Sequence, residues 1–139
     1  MPEESTTPDL VELVRMQFDA LNRRDLDGVM SSVAPDAVLD GRVVGDHYEG
    51  RAAIRGFIEE WFGTYEELAF GLEEVRGLAK GVVLATVTQN GRPVGSAAHV
   101  RQREWWVYVG VGGLIARLTT YGNIDEARAA AERLAEERG

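Results

Sequence analysis

Gln102, Glu104 and Trp106 fall at alternate positions of an apolar, aromatic run, so a strand through them presents all three on one face. If that face is concave, the Glu104 carboxyl lies against an indole and away from water, a setting suited to a general acid or base. On a wet face the same carboxylate would only pair with Arg101 or Arg103. The opposite face of this strand carries His99, Arg101, Arg103 and Trp105. Those residues would become the site, suited to an anion, if the strand were turned over. Tyr48, Phe57, Trp61, Phe62 and Tyr65 can wall a cavity or simply fill a core. Asp46-His47-Tyr48-Glu49 holds ligand-type side chains, but consecutive loop residues rarely converge on one ion, and no metal site is expected. With no cysteine, thiolate metal sites, disulfides and a cysteine nucleophile are excluded. No cofactor is expected.

The elements that must position these residues follow from periodicity. Thr7-Pro8 opens a helix with a hydroxyl cap, a proline at the first helical position and Asp9 behind it. Leu10, Leu13, Val14, Phe18 and Leu21 recur at helical spacing until Asn22-Arg23-Arg24 breaks the pattern. A short second helix turns Leu26, Val29, Met30 and Val33 inward and stops before Pro35. Residues 37–40 predict a short strand, and residues 41–50, with three glycines, an irregular segment. From Arg51 the helical period returns through Ile54, Phe57, Ile58, Trp61 and Phe62, with Gly63 just past the end.

The period then changes to two. Leu68, Phe70 and Leu72 alternate, residues 82–88 form a β-branched run, and Asn90-Gly91 signals a hairpin turn. A long strand over residues 94–109, a glycine turn at 110–113 and a last strand over 114–121 follow. Asn123-x-x-Glu126 has the form of a capping box for a closing helix through Ala127, Ala131 and Leu134. These readings give an α+β fold with helices on one face of a curved meander.

The chain has 139 residues, 45% of them hydrophobic. At this size roughly two-thirds of the unfolded surface is buried, enough for one core. The expected organisation is a flexible tail over residues 1–7 and a single domain over residues 8–138. A formal charge of -8 argues against nucleic acid, whose phosphates need a clustered positive field, and is consistent with a soluble protein. No apolar run approaches the roughly 18 residues of a membrane span, and no leader pattern opens the chain. The expected location is cytoplasmic.

Three stretches carry a family resemblance: residues 18–26 (FDALNRRDL), Pro35-Asp36-Ala37-Val38, and residues 48–54 (YEGRAAI). With Gly113-Leu114-Ile115-Ala116-Arg117 and Tyr121-Gly122-Asn123, the chain resembles the SnoaL-like and ketosteroid-isomerase-like members of the nuclear-transport-factor-2-like superfamily over residues 8–137. The resemblance implies a cone-shaped α+β barrel with three N-terminal helices on a mostly antiparallel sheet and a closing C-terminal helix. It also implies an apolar pocket and, usually, a dimer. Ketosteroid isomerases use an aspartate base with a tyrosine and a protonated carboxyl for the oxyanion. By the resemblance these positions fall on Gly41, near Gln17 and near Gln102, none of which ionises. The Asp-Arg-Asp set of limonene-epoxide hydrolases falls on Val87, Gln89 and Asn123. The aspartate of SnoaL-type cyclases also falls on Asn123, which can orient a carbonyl but not shuttle a proton, and which otherwise serves as an N-cap.

Asp40 adjoins the empty base position and would reach the same cavity if the register differed by one. The sequence therefore reads as a domain binding a hydrophobic cyclic or aromatic small molecule. Tyr48, Phe57, Trp61 and Trp106 would wall the site, and Gln17, Gln102 and Asn123 would supply neutral hydrogen bonds. The alternatives are a polyketide-cyclase or isomerase-type enzyme using Asp40 or Glu104, and a structural dimerisation module with a filled cone. Because Trp105, Val107 and Val109 leave the second face of the long strand apolar, a homodimer through that sheet face is expected.

Overall fold

Leucine, valine and phenylalanine at three- and four-residue spacing, then alternating β-branched residues, fold the described residues into four helices and one six-stranded sheet. The computed structural model describes residues 9–42, 45–78 and 81–138. In chain order the elements are α1 (Leu10–Asn22), α2 (Leu26–Met30), β1 (Val33–Gly41), β2 (Asp46–Glu49), α3 (Arg51–Thr64), β3 (Tyr65–Leu78), β4 (Val82–Pro93), β5 (Val100–Val111), β6 (Leu114–Tyr121) and α4 (Ile124–Arg138). The sheet runs β2-β1-β6-β5-β4-β3. Among the described residues, only the β1–β6 pair is parallel.

Asp9 caps α1, its carboxylate accepting from the Glu12 N–H at 2.9 Å. The expected cap Thr7, Pro8 and the expected tail lie outside the described residues. The second helix is shorter than its pattern suggests: it ends at Met30, and Val33 belongs to β1, where it is buried. Pro35 sits inside this strand because the β1–β6 ladder is irregular between Val33 and Val38, so its missing N–H interrupts no regular pairing. The glycine-rich segment contains β2, which folds back on β1 with Tyr48 opposite Leu39 and His47 opposite Asp40.

The hairpin turn expected at Asn90-Gly91 is not there. Both residues lie inside β4, Asn90 between Ala69 and Arg101 and Gly91 between Leu68 and Val100. Gly91 serves close approach, since a Cβ there would meet the Tyr65 ring at 2.7 Å. Chain reversal falls later, near Gly95 at φ +80°, so β5 begins at Val100 rather than at 94. Gly63 lies within α3, which continues to Thr64.

The main core fills the space between α1–α3 and one face of the sheet, through residues such as Val14, Phe18, Ile58, Phe70, Val83 and Tyr108. A second cluster occupies the other face. Val82, Leu84 and Val107 pack there with Ala127 and Ala131 of α4, and Trp105 joins its margin. The apolar back of β5, read from sequence as a partner-binding face, is therefore covered by the chain's own last helix. The expectation of a homodimer loses that premise.

Candidate functional site

The inward alternation of β5 brings Gln102, Glu104 and Trp106 to the concave face, where they help enclose a cavity of about 560 Å³. One wall is α3, whose inward stripe of Ile54, Phe57, Ile58 and Trp61 borders the space. Across it lie Leu118 and Thr120 of β6 and Gln89 of β4, while Gln17 and Leu21 enter from α1.

Aromatic rings connect the mouth to the floor. Tyr48 stacks on Phe57 with centroids 4.7 Å apart, and Phe57 on Trp61 at 5.8 Å. Trp61 meets Phe70 edge-on at 5.1 Å, and Phe70 in turn meets Trp106 at 6.3 Å. β2 supplies Tyr48, so the unexpected strand sets one end of this wall. The Tyr48 phenol is held above its ordinary pKa, first by lost hydration and then by the negative charges of Asp46 and Glu60. Both of those carboxylates line the cavity.

The polar groups differ in how they are held. Trp106 Nε1 donates to Glu104 Oε1 at 2.8 Å, which fixes the carboxylate against the wall and leaves its second oxygen uncommitted. Gln17 is buried and placed by weak contacts of 3.4 Å to the Ser32 hydroxyl and 3.5 Å from the Tyr108 hydroxyl. Burial keeps the Tyr108 phenol protonated, its pKa pushed well above the ordinary value. Gln89 is 7% exposed, faces the cavity beside Gln102 in the β4–β5 register, and has no partner for its amide among the described residues. Its signal in the sequence is the period-two series Ala85, Val87, Gln89, which ends an inward-facing apolar run on a polar residue.

Gln17, Tyr48, Phe57, Trp61, Gln102, Glu104 and Trp106 thus share one cavity. Asp40 and Asn123 do not border it. Leu39 and Gly41 turn to the cavity, so Asp40 between them takes the other face, level with Thr119. Asn123 caps α4, its side-chain oxygen accepting from the N–H groups of Asp125 at 2.8 Å and Glu126 at 3.1 Å. His47 pairs with Glu49 at 2.9 Å. Among the described residues, no three His, Cys, Asp or Glu side chains converge as a metal-ligand set.

A family model described as a SnoaL-like domain matches residues 14–118. Comparison with curated proteins gives no match. Among solved structures, a ketosteroid-isomerase-like protein from Catenulispora acidiphila in complex with trimethylamine aligns at TM-score 0.74 and 16% identity, covering 91% of this chain and 95% of its own. A Mycobacterium tuberculosis protein in complex with estradiol-17beta-hemisuccinate aligns at TM-score 0.73 and 18% identity, over 84% and 95% of the two chains. TerC, co-crystallised with polyporic acid, aligns at TM-score 0.71 and 14% identity, over 88% and 98%. At these identities the likeness is one of fold. No helix among the described residues is long and apolar enough to cross a membrane.

Proposed function

The chain belongs to the SnoaL-like domain family, and from that premise we propose that it binds a hydrophobic cyclic or aromatic small molecule in the cavity under α3. The observation that carries this reading is a space of about 560 Å³ walled by the Tyr48–Phe57–Trp61 stack and Trp106, into which opens the amide of Gln89, a largely buried residue with no side-chain partner among the described residues. Cavities of roughly 300–1,000 Å³ suit small organic ligands, and a few convergent polar groups orient them. An amide that opens into the cavity without a protein partner is free to orient a ligand there. The structural neighbours with trimethylamine, a steroid ester and polyporic acid support small-molecule binding on this fold. An open cavity with a few polar groups among its apolar walls speaks against a cone filled by its own side chains.

A second reading, acid-base catalysis, is favoured by one feature. Glu104 borders the cavity with one oxygen anchored by Trp106 and the other uncommitted. Of the two carboxylates singled out in the sequence, it alone borders the space. Gly41, Gln17 and Gln102 border the cavity where the resemblance to ketosteroid isomerases would require ionisable groups. A cyclase or isomerase step would therefore run through Glu104.

A thermal-shift screen against steroids, terpenoids, aromatic polyketides and fatty acids tests both readings. A ligand at a hundred times its Kd adds about 2.7 kcal/mol, a rise of several degrees in Tm at this size. The binding reading expects hits from the cyclic classes that Trp61→Ala weakens. Turnover by the parent protein, abolished in Glu104→Gln with binding retained, would establish the catalytic reading. No hit in any of these classes or among cyclic amines of similar size would overturn both.

A further inference from the structure

Among the described residues, every ionisable side chain that borders the cavity, other than the tyrosines, is a carboxylate: Asp46, Glu60 and Glu104. No described lysine, arginine or histidine borders it. Elsewhere the protein pairs its acids freely. Arg92 holds Glu66 and Glu67, Arg55 holds Asp27, and Arg103 holds Glu73. None of the three cavity carboxylates has such a counterion among the described residues. The guanidinium of Arg51, which opens α3, is committed to the Val33 carbonyl through two N–H groups at 3.0 and 2.6 Å.

Negative charge inside a partly enclosed, apolar-walled space attracts cations and repels anions more strongly than the same charge on an open surface. The walls reinforce that sign. Aromatic faces carry negative quadrupoles, and Trp61, Trp106, Tyr48 and Tyr65 all border the same space. Gln89 adds an independent element: it is buried, its amide has no partner among the described residues, and its oxygen can accept from an N–H-bearing ligand. A neutral ring would use the walls but leave the charge of half-buried Asp46 and Glu104 and of exposed Glu60 unused. An anion would be opposed by all three. An organic ammonium group uses both the aromatic faces and the charge.

We propose that this cavity selects ligands bearing a cationic amine or quaternary ammonium group on an apolar body, with Glu104 as the inner counterion and Asp46 and Glu60 as the outer pair. The inference rests on the small-molecule reading above and names the ligand's charge. Glu104 is the discriminating residue, because Trp106 already fixes its carboxylate in the cavity lining and no side-chain rearrangement is needed to receive a cation.

The test uses three probes of one shape: phenyltrimethylammonium, its carbon isostere tert-butylbenzene, and the anion benzenesulfonate. Binding is followed by tryptophan fluorescence and by calorimetry on the full chain. The expected order is ammonium first, tighter than the isostere by about tenfold, with the sulfonate weakest. Glu104→Gln keeps an acceptor for the Trp106 indole, so the fold is retained, and the preference for the ammonium should fall by about threefold or more. Asp46→Asn with Glu60→Gln, which leaves the Glu104–Trp106 pair untouched, should weaken the ammonium again while leaving tert-butylbenzene unchanged. If tert-butylbenzene or the sulfonate binds as well as the ammonium, charge selection is overturned and the small-molecule reading stands. The same conclusion follows if all three fail while the cyclic ligands of the broader screen bind. Failure of every probe and every screened class overturns both.

Discussion

The indole N–H of Trp106 donates to Glu104 Oε1 at 2.8 Å, joining two residues that share one face of β5. The indole is 4% exposed, so this bond has a structural role independent of any ligand. Replacing Glu104 by leucine strips the buried donor of its acceptor and should cost about 1–3 kcal/mol. Glu104→Gln retains an acceptor at the same reach and should stay within about 0.5 kcal/mol of the parent. Urea melts of the two variants check this. Equal losses would mean that the pair is incidental to stability.

Asn22 closes α1 onto the edge of the sheet. Its Nδ2 donates to the Phe70 carbonyl at 3.0 Å, and its Oδ1 accepts from the Phe70 N–H at 2.7 Å. Phe70 lies on β3, the edge strand, so one side-chain amide stands in for a missing neighbouring strand. Asn22→Ala should cost about 2 kcal/mol in urea unfolding with an unchanged m-value. Asn22→Asp keeps the acceptor alone and should fall between the two.

Asn123 is assigned to helix capping and not to the cavity. Asn123→Ala should lower stability by about 1 kcal/mol, and Asn123→Asp should preserve it. Neither should move the Kd of a ligand that Trp61→Ala weakens. A Kd change of about tenfold in a variant of normal stability would return Asn123 to the site.

How much of the fold and site is legible in the sequence depends on what fixes each element. The stripe Ile54–Phe57–Ile58–Trp61 and the alternation Gln102–Glu104–Trp106 are legible because burial on one face imposes a period, and the period alone places the side chains. Asn90-Gly91 misleads because its glycine answers to a tertiary contact, the Tyr65 ring, and not to a turn. Val33 fits a helical period and a strand equally well. The irregular β1–β6 ladder that admits Pro35 after it has no local signal. β2 is hidden in a glycine-rich stretch because its stability comes from pairing with β1 rather than from its own residues. Gln89 is placed inward by the period-two series Ala85, Val87, Gln89, but that no neighbour among the described residues reaches its amide is defined only by the packed structure.

Tyr108 gives the protein an alkaline limit. Its phenol is fully buried and its pKa is raised by burial. Below about pH 10 it is neutral in both folded and unfolded chains and adds no pH dependence. Above that, the unfolded chain releases the phenolic proton while the folded chain holds it, so stability falls until pH passes the raised folded value. Tyr108→Phe removes the group. Between about pH 10 and 11.5 its stability should decline less steeply than the parent's, by up to about 1.4 kcal/mol per pH unit. Superimposable slopes would mean that the phenol ionises equally well in the folded protein.

The back of β5 shows why an apolar face is not by itself evidence for a partner. Trp105, Val107 and Val109 look like an interface in sequence, yet Val107 is 1% exposed within one chain because Ala127 and Ala131 of α4 lie against this face. Alanines at these positions let the helix approach the sheet closely, and both are fully buried. Ala131→Glu places a long charged side chain at a fully buried position in the apolar cluster of Val82, Leu84 and Val107, and should cost about 3 kcal/mol or more. Because α4 would then lift from the sheet, the apolar strip should become accessible and the variant should bind a hydrophobic dye and self-associate in light scattering. If Ala131→Glu melts like the parent and binds no dye, α4 does not seal the back of the sheet, and that face returns as a docking surface.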